Sequence, residues 1–537
     1  MHDGGVEVGL GGRRAGDALR CGRVPAGATH SRSRPMRRPA TLRPSAPAAR
    51  PAARRLLSAL IAGALTASAG AARAQAPAVR PAPERPFGTL REQAALQQRW
   101  LDERMRTVLP ALMRKHGVDA WVVPMREYNE DPVFAALVSP TTFAARRRTI
   151  YLFHDRCAGA SARVRRAEAA RDTSCAVERL AFGGTSQGGV YQAVRSTKTV
   201  SAPEGATVAA GSGTQGRQAE LWGDEQWQVL KQALDARRPR RLAIDVSRTF
   251  AFADGLSAGE LEGMREALGP EHARRFVRVD ALPVEMIATR LAAEDSVYRE
   301  MNRVTWEIIQ EAFSNRVVTP GTTTTQDVVW WMRQRVNDLG LGTWFQPSVE
   351  VQRQGWTAER LGDNPVIQRG DVLHCDFGIT AFRLNTDTQH MGYVLRDGET
   401  EVPRGLRAAF ATSNRLQDIV AEELKPGRTG NEVLRASQAR MKAARIDGTI
   451  YSHPIGLHGH GAGPLIGLWD YQDGVPGRGD ARVIPRMWYS IELQATSPVP
   501  EWGGQPVRSA QEEDVIIDTD GRVRWAYGRQ TAFHLVR

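Results

Sequence analysis

The sequence predicts an α/β domain followed by an α+β domain that contains an internal repeat. Three observations carry that prediction. Strand-like and helix-like runs alternate between about residues 95 and 285, as layered α/β domains require. Beyond them, the order helix, turn, helix, apolar hairpin occurs twice. Acidic residues then interrupt both hairpins at similar places, which points to a shared site. With 537 residues the chain is long enough for two or more domains.

A basic leader precedes them. The formal charge of +13 would fit a nucleic-acid partner, but residues 1–74 hold thirteen Arg against Asp3, Glu7 and Asp17. The rest carries only about three net positive charges, so no nucleic-acid partner is expected of the folded body. Arg54-Arg55 precede LLSALIAGALTASAG, an apolar run short for a membrane span. Ala72-Arg73-Ala74 then fits the small-x-small cleavage pattern. The expectation is a leader and signal peptide over 1–74, cleaved after Ala74, and a Pro-rich mature start over 75–94. The protein would be exported, periplasmic or secreted, and free of the membrane after cleavage. A retained membrane anchor is the alternative.

In the first domain, residues 95–285, WLDERMRTVLPALMRKHGV has helical spacing, while DAWVVPM, RTIYLF and VERLAF read as strands. ELWGDEQWQVLKQALDARRP is amphipathic and RRLAIDV is a further strand. No cluster in this domain has a catalytic composition. Cys157 and Cys175 flank the base of one strand pair, where an oxidising compartment would allow a disulfide. Cys375, in an apolar strand, is expected to be a buried thiol.

The second domain, residues 286–537, opens with AAEDSVYREMNRVTWEIIQEAFSNRV, a long helix stopped at Thr319-Pro320-Gly321. TTTTQDVVWWMRQRVNDLG supplies Thr caps and a second helix ending at Gly. DVLHCDFGITAFRLNTDTQHMGYVL, residues 371–395, is then two apolar runs around turn residues, a hairpin. RGLRAAFATSNRLQDIVAEEL, Pro426-Gly427, NEVLRASQARMKAARI and a hairpin from RMWYSIELQA to EEDVIID repeat that order. An internal pseudo-two-fold follows, with Asp376 and Asp387 on the first hairpin and Glu492 and Glu512 on the second.

Buried carboxylates need hydrogen bonds, cations or a metal. The segment SHPIGLHGHGAGP adds His453, His458 and His460 among glycines that let backbone pass close to a ligand. One imidazole and four carboxylates are the donors expected for two divalent ions, with two carboxylates bridging ions about 3.5–4 Å apart. Such ions lower the pKa of a shared water and polarise a carbonyl oxygen. The oxygen-rich donor set favours Mn²⁺, with Co²⁺ or Zn²⁺ as alternatives.

These motifs resemble the pita-bread metallopeptidases: Xaa-Pro aminopeptidase, prolidase, methionine aminopeptidase and creatinase. The family's Asp-x-Gly acid, followed eleven residues later by a second Asp, is similar to Asp376-Phe377-Gly378 and Asp387. Its His-x-x-Gly segment with another His seven residues on resembles His453-Pro454-Ile455-Gly456 and His460. Its Glu after a Pro-x-Met turn is similar to Glu492 after Pro485-Arg486-Met487, and its last Glu to Glu512 in Glu512-Glu513-Asp514-Val515. The resemblance implies a creatinase-like N-terminal α/β domain and an α+β pita-bread catalytic domain. It implies metal ligands Asp376, Asp387, His453, Glu492 and Glu512, with Asp387 and Glu512 bridging. Glu492 would also be the general base, and His460 would hydrogen-bond the substrate. Glu513 competes with Glu512 for the last place, and His458 is scaffold.

The expected function is an exported dinuclear-metal exopeptidase, Xaa-Pro aminopeptidase-like or prolidase-like, that cleaves the N-terminal bond of short peptides with a metal-bridging hydroxide. A homodimer is compatible with this. The alternatives are a non-catalytic peptide-binding module of the same fold and a creatinase-like C–N hydrolase. Three departures touch the substrate shell. The region WFQPSVEVQRQGWTAERLGDNPVIQ lacks the family's His, although His374 lies on the Asp376 face of its strand. Gln389 and His390 replace a Thr and an Arg, and Ala510 stands where an Arg is usual, with Arg508 nearby.

Overall fold

The computed structural model describes residues 85–158, 176–199 and 218–537. The leader, the cleavage site, Cys21 and Cys175 lie outside the described residues. The first helix, Leu90–Lys115, begins inside the Pro-rich segment expected over 75–94. Its start is set by a capping box: the Thr89 hydroxyl accepts from the Glu92 amide, and the Thr89 amide donates to Glu92 at 2.8 Å. Trp100, Leu101, Met105, Leu109, Leu112 and Met113 give the helix one buried stripe.

That stripe packs on a seven-stranded sheet. Within it, Ala120–Arg126 runs antiparallel to the central strand Arg148–Asp155 and parallel to Leu242–Ile244. Helices Asp224–Arg237 and Ala258–Ala273 cover the other face through Trp227, Leu230, Leu234, Met264 and Leu268. Covering on both faces explains why Ala120 to Met125 is a continuous buried run. Strands Gln218–Glu220 and Phe276–Arg278, unpredicted, are three residues each, too short to show a period. Helix Ala281–Ala288 runs across the boundary expected at 285/286 and leads into the second domain. Cys157 is disulfide-bonded, and Cys375 is a buried free thiol whose pKa burial pushes up.

The second domain is built on a nine-stranded sheet. Along its main path the order is Asp447–Ile450, Trp488–Val499, Gln505–Ile517, Thr388–Val394, Val372–Phe377 and Ser348–Gln352. Strand His453–Ile455 pairs with Trp488–Val499. Helices Asp295–Ala312 and Thr325–Asp338 precede the first hairpin, and Arg404–Glu423 and Gly430–Ala443 precede the second. Thr324 and Thr429 cap the second helix of each pair, in boxes closed by Asp327 and Glu432. The order of elements expected twice is thus found twice. The two hairpins pair with each other at one position, Gln389 opposite Glu512. No helix among the described residues is long and apolar enough to cross a membrane.

Candidate metal centre

Register assembles the site. Asp376 lies opposite Gln389, Gln389 opposite Glu512, and Glu512 opposite Glu492. Directly paired residues in a sheet project from the same face. One row across four strands therefore carries three acids and a glutamine on a single face. Asp387 enters this face two residues before Gln389, and His453, opposite Ser490, comes in from the far edge.

The five donors converge. Asp376, Asp387 and Glu512 place carboxylate oxygens within 4.8 Å of one another, as do His453, Glu492 and Glu512, and Asp387, His453 and His460. The Nε2 of His453 is 3.3 Å from Glu512 Oε1, 3.6 Å from Asp387 Oδ2 and 3.8 Å from Glu492 Oε2. Its Nδ1 is 2.9 Å from the Pro454 carbonyl, which can only accept, so Nδ1 carries the proton. Nε2 is thereby aimed at the carboxylates with its lone pair free in the neutral ring.

Whether divalent ions fit can be tested on the polar atoms themselves. Asp376 Oδ1, Asp387 Oδ1 and His453 Nε2 are buried without a hydrogen-bond partner. Without ions the acids cannot all ionise. Burial, then the charge of Glu512, pushes Asp376 up to about 8. Burial and the charges of Glu512, Asp376 and Asp514 hold Asp387 well above the carboxylate range. Glu492 is raised the same way, by burial and Glu512. Burial opposes the charge on His453, yet the nearby Glu512 carboxylate and the charge of Glu492 lift it to about 9. Strong mutual repulsion, orphaned lone pairs and an N/O donor set are what a pair of cations would resolve. The residues fit.

Supporting contacts fix these donors. Ser490 Oγ donates to Glu512 Oε1 at 2.6 Å, and Tyr298 donates to Asp514 Oδ2 at 2.7 Å. The same Asp514 oxygen accepts from the Asp387 amide at 3.2 Å. Glu513 does not join the cluster. Strand alternation turns it to the opposite face, where it meets His390 at 3.0 Å, Trp306 at 3.1 Å and the Gln530 amide at 2.8 Å. Glu512 alone of that acidic pair reaches the site.

His460 is exposed, its ring perpendicular to that of His453 at 4.8 Å and to that of Trp344 at 5.1 Å. Burial of its inner side and the His453 charge lower its pKa. His458 points away: its Nε2 donates to the Pro132 carbonyl in the first domain at 3.3 Å, and it packs on Phe252. Arg508 is held by Glu350 and by Gln494 at 3.3 Å, away from the acids.

Sequence patterns mark Gln389 only as a departure and place His374 on the Asp376 face of its strand. Both lie in the site: Gln389 donates to Glu492 and Glu512, and His374 contacts Gln389 at 2.9 Å. Alternation from Asp387 would have placed Gln389 on the acidic face. The unpredicted strand Ser348–Gln352 brings Glu350 to His374; its Ser-Val-Glu-Val-Gln alternation was the signal that could have found it.

Comparison with known proteins bears on the same domain. Residues 296–520 match Metallopeptidase family M24. No curated protein sequence matches the chain. Among solved structures it is similar to an X-Pro aminopeptidase from Thermotoga maritima MSB8. That match has 16 % identity and a TM-score of 0.51, and covers 79 % of this chain and 100 % of the other. The N-terminal domain of the FACT complex subunit SPT16 from chickpea, Cicer arietinum, has the same TM-score at 10 % identity, covering 82 % of this chain and 99 % of its own. An Xaa-Pro dipeptidase from Bacillus anthracis matches at 15 % identity and TM-score 0.46, covering 82 % and 99 %. The fold is the pita-bread fold with its preceding α/β domain, as expected from the sequence. A fold shared with a FACT complex subunit does not by itself carry an activity, which lives in the site.

Proposed function

Because residues 296–520 are a domain of metallopeptidase family M24, we propose that the protein is an exported dinuclear-metal exopeptidase acting on the N-terminal bond of short peptides, Xaa-Pro aminopeptidase-like or prolidase-like. One observation carries the proposal: five donors converge with Asp376 Oδ1, Asp387 Oδ1 and His453 Nε2 left without partners. Asp376, Asp387, His453, Glu492 and Glu512 would hold the ions. Bound ions polarise the scissile carbonyl and lower the pKa of an attacking water.

The chain's own residues do the rest. The Glu492 side chain keeps 15 % exposure against 1 % for Glu512, so Glu492 meets entering water and takes its proton as general base. The conformation of Glu512, tied by Ser490, is fixed for ligation alone. His460, lowered in pKa and exposed, stays neutral near pH 7 and hydrogen-bonds the peptide. Trp344 walls the same opening and narrows it.

Metal-free protein reloaded with Mn²⁺, Co²⁺ or Zn²⁺ should bind about two ions per chain and cleave members of a panel of Xaa-Pro and Xaa-Ala di- and tripeptides. Two bound ions with no cleavage of any member would favour the peptide-binding module. No bound ion would end the enzymatic reading. Export has its own test. Protein recovered from periplasm or medium should begin at Gln75, and a membrane-bound form retaining residues 54–74 would overturn it.

A further inference from the structure

Gln389 stands at the centre of the acidic row, between Asp376 and Glu512 in register. Its Nε2 lies 2.5 Å from Glu492 Oε1 and 2.9 Å from Glu512 Oε2. Ionised carboxylates only accept, so the amide must turn its NH₂ toward them. Its Oε1 then faces His374 Nε2 at 2.9 Å, and that nitrogen must be the donor. The remaining nitrogen, Nδ1, lies 3.6 Å from Glu350 Oε2, and Arg508 holds the same Glu350 oxygen. Each hydrogen bond from the carboxylates to His374 Nε2 leaves one assignment for the next, and Nδ1 makes none.

The consequence lies in the oxygens that Gln389 does not touch. Glu492 Oε2 and Glu512 Oε1 are the oxygens of these two acids that lie toward His453 Nε2, at 3.8 and 3.3 Å. One neutral amide therefore sets which oxygen of Glu492 faces the metal centre, and shares with Ser490, which donates to Glu512 Oε1, the setting of Glu512. It also adds no charge to the cluster, where a Lys or Arg would compete with cations for the same carboxylates.

We infer that Gln389 is a positioning residue of the metal centre, which holds Glu492 and Glu512 each with one oxygen presented to the ions, and that His374 fixes the orientation of its amide. This rests on the dinuclear reading above. Outer contacts of this kind typically contribute 10–100-fold to metal affinity or activity.

The test is titration of the chelated protein with Co²⁺, followed by calorimetry and visible absorption. Gln389→Met keeps the length of the side chain and removes both donors. It should bind at least one of the two ions about 10–100-fold more weakly than wild type, with a changed Co²⁺ spectrum. Thermal unfolding of the metal-free form should stay close to wild type, which separates positioning from folding. His374→Leu leaves the amide but frees it to turn, and should give a smaller loss with a spectral change in the same direction. Should Gln389→Met not fold, the His374→Leu titration decides. Wild-type affinity and spectrum in a folded variant of either kind overturn the positioning role and leave the metallopeptidase reading intact. Wild-type protein that binds no Co²⁺ overturns both.

Discussion

Glu492 carries two duties in the proposed chemistry, and substitution separates them. Glu492→Gln retains the volume and one ligating oxygen, but an amide cannot accept the proton of the attacking water. Turnover at saturating metal should fall by about 10²–10⁴-fold, the usual contribution of general-base assistance. Asp376→Asn should instead weaken binding of an ion and be partly rescued by raising metal concentration, because mass action restores occupancy. Turnover of each variant against metal concentration, with occupancy measured, reads the difference. Full turnover of Glu492→Gln at saturation would assign the base elsewhere. At this scale the candidate donors were legible because metal chemistry limits residue type, and because Asp376, Asp387, Glu492 and Glu512 sit on two apolar hairpins and His453 in a glycine-rich segment. Glu512 could not be told from Glu513 by motif alone. Strand register decides it, since neighbours in a strand face opposite sides.

The strands are held to the His segment by glycine contacts that only the fold makes visible. Gly459 passes under Trp344, and a Cβ there would lie 2.3 Å from the indole. The ring cannot swing away freely, because its Nε1 donates to the Thr386 carbonyl at 3.0 Å, beside Asp387. Gly459→Ala should therefore displace the segment bearing His460. A misplacement of about 1 Å costs on the order of 10²-fold in rate, and kcat/KM for a cleaved peptide should drop by about that factor. Gly259→Ala is the control: nothing lies within 4 Å of its Cβ, and it sits in helix Ala258–Ala273. It should retain full activity, and wild-type kcat/KM in Gly459→Ala would dismiss the contact. Long helices and apolar strands of this domain were legible from their periods. Strand Ser348–Gln352 was not read, although Val349 and Val351 alternate with polar residues, because five residues give only two apolar positions on which to recognise the period.

The first domain grips that same segment from outside, and a buried acid pair lies at the grip. Pro132 accepts from His458, and its neighbour Asp131 is 1 % exposed, with Oδ1 accepting from the Val133 amide at 2.9 Å. Asp245, equally buried, accepts from Trp121 Nε1 at 2.7 Å. The Oδ2 atoms of both acids lack other partners. Burial pushes Asp131 up to about 7, against the Val133 amide and Asp245, with Asp254 adding repulsion. Burial, then Asp131, with Asp280 further off, holds Asp245 well above the carboxylate range. Both acids are raised, so the folded state binds protons that the unfolded chain releases near pH 4. Their contribution to stability is full below that pH and is lost as pH rises through about 7. Metal-free protein should then show an unfolding midpoint that falls between pH 5 and 8, and Asp131→Asn should flatten part of that slope. The amide keeps an acceptor for Val133 and offers Asp245 a donor, so the variant should be the more stable protein at pH 8. A gain of 1 kcal/mol corresponds to roughly 2–4 °C in a domain of this size. Parallel pH profiles for wild type and variant would show that this pair does not titrate between folded and unfolded states. Steepening in the variant would mean that Asp131 is ionised throughout and stabilises the grip as a charge.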